Sequence, residues 1–309
     1  MFSVVFPGQG SQEVGMGKIF YEKYDLVKNY FKEADETLNF PLSKLILEGP
    51  KSELDLTFNT QPAIFLISYS IFNIIKKEFD INLNKANFFA GHSLGEYSAL
   101  SCAGYIKFSD TLKILKARGE AMQNAVPKGI GGMIAILGTN IKKIEDIISK
   151  NKEYCNFQIA NDNSEGQIVV SGKLKDLDIL TEILKSMNIR NIKLPVSAPF
   201  HCELMGNATR IMRDEINKIE FDEGHNILMS NVTADTVKDI SVIKNLLIRQ
   251  IENRVRWRES VVNMINNGVK NFIEIGPGKV LSGLIKRINR QVNVKSINSE
   301  EDIKNLNIS

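Results

Sequence analysis

A chain of 309 residues is long for one domain and sets an expectation of about two. With 43% hydrophobic and 24% charged residues it has an ordinary globular makeup, and a net charge of +3 over this length is too weak to argue for nucleic acid. Its three cysteines (Cys102, Cys155, Cys202) form no close pair, so neither a disulfide framework nor a zinc site is indicated. The start Met1-Phe2-Ser3-Val4-Val5-Phe6 lacks the basic region and long apolar core of a signal peptide. The apolar run 63–75 is interrupted by Ser68, Ser70 and Asn73 and is too short to cross a bilayer. A soluble, cytoplasmic protein is expected.

In chain order, residues 2–6 read as a strand, broken by Pro7-Gly8-Gln9-Gly10-Ser11-Gln12 and followed by a helical pattern over 16–31. Strand, glycine loop and helix suggest a dinucleotide-binding turn, but the fingerprint fails because Glu13 stands where the third glycine is needed. Gln61-Pro62-Ala63 opens a strongly apolar helix expected in the core. Next comes Phe88-Phe89-Ala90-Gly91-His92-Ser93-Leu94-Gly95-Glu96-Tyr97, an apolar strand, a Gly-x-Ser-x-Gly turn and a helix. That is the nucleophile-elbow arrangement: a tight turn projects the serine hydroxyl over a helix N-terminus that favours developing negative charge. A plain αβ turn that happens to carry serine is the alternative, since glycine and serine are common turn residues. The flanking strand and helix favour a nucleophile.

Ser109 and Asp110 are placed to cap a helix running to Gln123, with Arg118 inside it. Pro127-Lys128-Gly129-Ile130-Gly131-Gly132 is a composition break. Beyond it, strands over 133–137, 156–161, 167–171 and 192–196 alternate with helices over 141–150 and 174–186. The order β-α-β-β-α-β is that of a ferredoxin-like unit. The expected organisation is an α/β fold, with 1–126 and 197–309 as a larger parallel-sheet domain and 127–196 as an inserted smaller one. A helix after His201, helices over 240–251 and 257–267, and a strand over 272–275 follow. Gly276-Pro277-Gly278-Lys279 then opens a last helix as a strand-to-helix turn, because the spacing of a phosphate-binding loop is missing.

A serine nucleophile needs a general base, and the chain has three histidines. His92 adjoins Ser93, so the two side chains diverge, and His225 follows Asp222-Glu223-Gly224 in a surface loop. His201, at a helix start beyond the insert, remains by elimination, with a structural histidine as the alternative. Spacing selects no acidic partner for it.

These segments, with Thr60-Gln61-Pro62-Ala63, Gly91-His92-Ser93-Leu94-Gly95-Glu96-Tyr97-Ser98-Ala99, Arg118-Gly119-x-x-Met122, Gly166-Gln167-x-Val169-x-Ser171-Gly172, Leu194-Pro195-Val196-Ser197, His201-Cys202 and Gly276-Pro277-Gly278-Lys279-Val280-Leu281, stand in the order found in bacterial malonyl-CoA:acyl carrier protein transacylases. The resemblance covers essentially the whole chain. It implies an α/β-hydrolase-like large domain with an inserted ferredoxin-like subdomain. It also implies malonyl transfer from malonyl-CoA to the pantetheine thiol of acyl carrier protein, by a ping-pong route through a malonyl-serine. Ser93 would be the nucleophile and His201 the base. The backbone N–H groups of Gln9 and Leu94 would form the oxyanion hole, and the Gln250 backbone carbonyl would orient the histidine in place of an acid. Arg118 would bind the malonyl carboxylate. Gln61, Asn161, Asn163 and Gln167 match positions lining the cleft, and Phe200 would exclude an α-methyl branch. The resemblance implies neither metal nor redox cofactor, and no membrane partner; a monomer is expected. An acidic carrier would meet a basic face drawn from Lys279, Lys286, Arg287, Arg290, Arg249 and Arg256.

Two positions depart from the pattern, Glu165 and Arg254, each where proline is common; Arg254 is expected to strain the loop that carries the Gln250 carbonyl. A serine thioesterase or hydrolase of the same fold, an acyltransferase of a polyketide pathway and a non-catalytic acyl-binding protein are the alternatives. The last is disfavoured by the joint presence of Ser93, His201 and Arg118.

Overall fold

The computed structural model describes residues 1–196 and 198–306; Ser197, which closes the motif begun by Leu194, and residues 307–309 lie outside the described residues. The first part of the chain supplies β1 (Phe2–Phe6), α1 (Lys18–Lys23), α2 (Asp25–Leu38), α3 (Leu42–Glu48), α4 (Lys51–Leu54), the long apolar α5 (Thr57–Lys77), β2 (Phe88–Gly91), α6 (Leu94–Cys102) and α7 (Phe108–Gln123). Then come β3 (Gly131–Leu137), α8 (Ile141–Asn151), β4 (Phe157–Ser164), β5 (Gln167–Lys173), α9 (Leu174–Ser186) and β6 (Arg190–Lys193). The remainder forms α10 (Gly206–Lys218), β7 (Ile227–Met229), β8 (Thr236–Val237), α11 (Ile240–Gln250), α12 (Trp257–Asn266), β9 (Asn271–Ile275), α13 (Val280–Ile288), β10 (Asn293–Ile297) and α14 (Glu300–Lys304).

Two sheets result, as expected of the α/β class. One has the order β10-β9-β1-β2-β7-β8 and is parallel except for β8 at its edge. Every residue of β1 and β2 is buried, the mark of parallel strands covered by helices on both faces. The other has the order β4-β5-β3-β6, and its neighbours are all antiparallel, the ferredoxin-like arrangement. It has its own core, in which Ile134, Ile136, Ile168 and Val170 pack under Ile144 of α8 and Leu177, Leu180 and Leu184 of α9.

The sheets are stitched together beside the site. Val255, just after α11, bridges to β4: its N–H donates to the Ala160 carbonyl at 2.8 Å and its carbonyl accepts from the Asp162 N–H at 2.9 Å. Arg258 closes the seam with a forked pair to the buried Asp162 carboxylate, 2.8 Å at the shortest.

Several expectations are corrected. The pattern over 16–31 is two helices, because Tyr24 between them is extended at φ −116 and ψ 119. Helix α5 begins at Thr57 rather than beside Gln61, with Pro62 inside it near its start. The cap of α7 is Lys107; Ser109 and Asp110 lie in its first turn, where Asp110 still complements the dipole. The last strand of the smaller sheet ends at Lys193, short of the expected 196. Strands β7, β8 and β10 have no counterpart among the expected elements: β7 and β8 have three and two residues, too few for a period, and β10 is partly exposed, with polar Asn293, Lys295 and Ser296. The turn after β9 opens α13, but α14 follows it. That turn holds no anion: the buried Glu274 carboxylate already accepts the Leu281 and Ser282 N–H groups at 3.0 and 2.7 Å.

Candidate active site

The elbow follows directly from two glycines. A Cβ on Gly91 would lie 1.9 Å from the Gly95 carbonyl, and one on Gly95 would lie 2.2 Å from the Phe6 carbonyl oxygen. Only bare backbone lets α6 leave β2 this sharply and pass over the end of β1. Between them Ser93 sits at φ 54 and ψ −110 as the N-cap of α6. An L-residue held there costs about 1–3 kcal/mol and persists only where its surroundings enforce it. Asn231 supplies the enforcement: its Oδ1 accepts the Ser93 N–H at 2.8 Å, while its Nδ2 donates to the Gly91 carbonyl at 2.7 Å.

The hydroxyl so projected meets two groups. Ser93 Oγ lies 2.8 Å from His201 Nε2, and Arg118 donates to it from Nη2 at 3.1 Å. His201 is also strained, at φ 59, and its chain is tied to the smaller sheet by Ser171 Oγ, which donates to the Phe200 carbonyl at 2.6 Å. Its Nδ1 lies 2.8 Å from the Gln250 backbone carbonyl. A carbonyl only accepts, so Nδ1 carries the proton and Nε2 is left to accept one from serine. The imidazole is 4% exposed; burial, and then the Arg118 charge, hold its pKa down at about 3. The imidazole is therefore neutral at any ordinary pH.

Arg118 is 1% exposed. It reaches this position because α7 crosses α5 closely at Gly119, where a Cβ would lie 2.4 Å from the Phe58 Cα. Its Nη1 donates to Gln61 Oε1 at 2.8 Å and its Nη2 to Gln250 Oε1 at 2.7 Å, while the guanidinium packs against the Tyr97 ring. Burial lowers its pKa from the usual arginine value. A cavity of about 110 Å³ opens above these groups. Gln9, Gln61, His92, Ser93, Leu94, Arg118, Asn161, Phe200 and His201 line it, closed on the apolar side by Met122, Met133, Leu194 and Val196. Among the described residues neither the Gln9 nor the Leu94 N–H meets a protein acceptor.

Gln61, Arg118, Asn161 and Phe200 thus converge with Ser93 and His201 on one space. Asn163 does not line it: its Oδ1 holds His92 Nε2 at 2.8 Å, which keeps that ring away from the serine proton and packed near Trp257. Gln167 stands apart, half-buried at the start of β5, where its Oε1 accepts from Arg287 at 2.7 Å. His225 is exposed, as a loop residue should be. Arg254 leaves the Gln250 carbonyl in place, because it is drawn outward to Glu145 at 3.1 Å and Glu259 at 3.5 Å.

Three contributions had no signal in the sequence. One is the Asn231 clip. Another is the Gln250 side chain, whose amide spans Arg118, the Ser93 carbonyl (3.0 Å) and Glu96 (2.5 Å). The third is the buried Glu96, whose carboxyl burial raises to about 7.

The chain is similar over nearly its whole length to known acyltransferases. The acyl transferase domain model matches residues 3–306. Malonyl CoA-acyl carrier protein transacylase of Bacillus subtilis strain 168 is 44% identical over 301 residues, spanning 97% of this chain and 94% of that protein. The crystal structure of acyl-carrier-protein-S-malonyltransferase from Bartonella henselae superposes with a TM-score of 0.96 at 40% identity, covering 98% of this chain and 97% of that one. A malonyl-transacylase solved in complex with its type II polyketide acyl-carrier protein superposes with a TM-score of 0.94 at 35% identity, covering 98% and 97%.

Proposed function

The chain belongs to the malonyl CoA-acyl carrier protein transacylases of the acyl transferase domain family, and from that premise we propose how its own residues carry the reaction. It is an acyltransferase that moves a malonyl group from malonyl-CoA to acyl carrier protein for fatty acid synthesis. The observation that supports the following roles best is a serine at a strained elbow, bonded to a neutral histidine and to a buried arginine within one cavity.

In the first half-reaction Ser93 Oγ attacks the malonyl thioester carbon as its proton passes to His201 Nε2. The Gln250 carbonyl stabilises the imidazolium through Nδ1–H, while the Gln9 and Leu94 N–H groups and the α6 dipole receive the oxyanion. The C–S bond then breaks, and His201 returns the proton to the departing coenzyme A sulfur. In the second half the pantetheine thiol gives its proton to His201 and attacks the malonyl ester. Ser93 leaves as its oxygen takes the proton back. Every bond and proton balances without a metal or redox cofactor. All the groups come from one chain, so a monomer suffices, and a carrier-borne thiol acceptor fits a cytoplasmic enzyme.

Arg118 chooses the acyl group by pairing with the malonyl carboxylate, and Phe200 beside His201 leaves no room for an α-methyl branch. Gln61 orients the guanidinium, and Asn161 offers a polar contact from the opposite wall. Asn163 acts through His92, and Gln167, bonded to Arg287 apart from the cavity, takes no part in the chemistry. The carrier approaches over exposed cations: Lys279, Lys286, Arg287 and Arg290 on or beside α13, and Arg249 on α11. Arg256 contributes less, because Glu259 neutralises it.

Intact mass after mixing with malonyl-CoA is the test. A single malonyl adduct that Ser93→Ala abolishes, with coenzyme A released in one burst unless carrier is added, is the expected result. Continuous release without carrier would make the protein a hydrolase, and no release would make it a binding protein. A polyketide role differs only in which carrier accepts, and a competition between carriers reads it.

A further inference from the structure

Glu96 sits at the third position of α6, where a glutamate ordinarily reaches back to the N–H of the N-cap residue. That N–H is already taken by Asn231 Oδ1. The carboxylate instead crosses to the last residue of α11, 2.5 Å from Gln250 Nε2, and lies near the Asn231 N–H at 3.4 Å. Neither Glu96 nor Gln250 lines the cavity, and both are buried.

We infer that Glu96 is a positioning residue for malonyl selectivity: its carboxylate anchors the donor end of the Gln250 amide, and Gln250 thereby holds the guanidinium firmly at the nucleophile. An amide has donors at one end and an acceptor at the other. In the observed orientation Nε2 serves Glu96 and the Ser93 carbonyl, and Oε1 accepts from Arg118 at 2.7 Å. Turned over, the amide would set N–H donors against guanidinium donors. The Arg118 donors and the Ser93 carbonyl already exclude the turned state; the Glu96 carboxylate adds a charge-assisted acceptor that anchors the Nε2 end, and a glutamine at position 96 holds that end less firmly. Negative charge at the N-terminal turn of α6 is also favoured by the helix dipole. The consequence falls on one substrate. A malonyl carboxylate needs a guanidinium already aimed, whereas an acetyl group needs only Ser93, His201 and the oxyanion donors.

This rests on the roles proposed above for Ser93, His201 and Arg118, and the experiment separates the two. Single-turnover acylation by malonyl-CoA and by acetyl-CoA is measured in the wild type, Glu96→Gln, Gln250→Met and the double variant, with Tm recorded for each. Methionine keeps the backbone carbonyl that His201 uses. Glu96→Gln is expected to lower the malonyl-to-acetyl ratio of kcat/KM roughly tenfold, within the range for partners in one hydrogen-bond network. Gln250→Met should lower it comparably, and the double variant should fall no further. A ratio unchanged in Glu96→Gln, whatever its Tm, or additive losses in the double variant would overturn the inference. If Glu96→Gln does not fold, an unchanged ratio in Gln250→Met overturns it alone. A wild type that malonyl-CoA does not acylate would overturn the underlying roles instead.

Discussion

Replacing Arg118 with alanine should cost malonyl transfer far more than acetyl transfer. The two terminal nitrogens of a guanidinium carry four N–H groups. Gln61 Oε1, Gln250 Oε1 and Ser93 Oγ each take one, which leaves a single terminal N–H in the resting enzyme. When Ser93 Oγ becomes an ester oxygen, the N–H that met it is released. On the role proposed for Arg118, two donors would then face the two oxygens of the malonyl carboxylate, a charge-assisted pair on a guanidinium whose residue is 1% exposed. Truncating one partner of such a pair costs about 2–5 kcal/mol, and at about 1.4 kcal/mol per decade kcat/KM for malonyl-CoA should fall roughly 30- to 4000-fold. Acetyl-CoA loses only the 3.1 Å contact to Ser93 Oγ, long for a charged donor, and should fall about tenfold or less. Arg118→Lys restores the charge without the fork and should recover part of the malonyl rate alone. The assay is coenzyme A release with carrier present, run for both substrates. Equal losses for malonyl and acetyl would mean that Arg118 is structural, and the selectivity reasoning would fail.

His201→Ala should slow acylation by roughly 10²- to 10⁴-fold while leaving Ser93 able to react; an unaltered single-turnover rate would remove His201 from the mechanism. Asn231→Ala should lower acylation by malonyl-CoA and by acetyl-CoA, since it loosens the elbow itself; an unchanged acetyl rate would contradict the clip. Raising salt should weaken use of acyl carrier protein, by screening Lys279, Arg249 and Arg290, but not slow hydrolysis of the acyl-enzyme by water. Equal salt response of the two acceptors would refute electrostatic docking. His201, held neutral down to about pH 3, should give no decline in acylation through its ordinary 6.5. A limb near pH 7 that vanishes in Glu96→Gln belongs to Glu96; one at 6.5 that survives there would overturn the His201 assignment. The two groups also pull stability in opposite directions. The unfolded chain binds more protons at His201 between about 3 and 6.5, so acid costs stability there, whereas the folded chain binds more at Glu96 between 4.5 and about 7, so the same acidification adds it. Urea titrations of His201→Ala and Glu96→Gln should show these two slopes lost separately.

What the sequence discloses about this site depends on how local each part is. The elbow is legible because its cause lies within five residues: two glycines without which backbone atoms would overlap at about 2 Å. His201 is nearly so, since the choice among three histidines is small. Arg118 is not, because an arginine inside a helix is ordinarily solvated, and only the crossing of α7 over α5 at Gly119 buries it. Asn231 is the clearest case of illegibility. Its strand β7 has three residues, too few to show a period, yet everything follows once β7 is known to lie parallel to β2 with Met229 opposite Ala90. Two residues past Met229 the chain must then stand beside the turn that begins two residues past Ala90, and that residue is Asn231 beside Ser93. The same holds for Gln250, whose place at the C-terminus of α11 means nothing until α11 meets α6 and α7. Ser93 is written in a motif, whereas the groups that strain it, orient His201 and hold Arg118 are written in the pairing of strands and the crossing of helices. Substitutions at Asn231, Glu96 and Gln250 should therefore act on chemistry in which none of these side chains takes part.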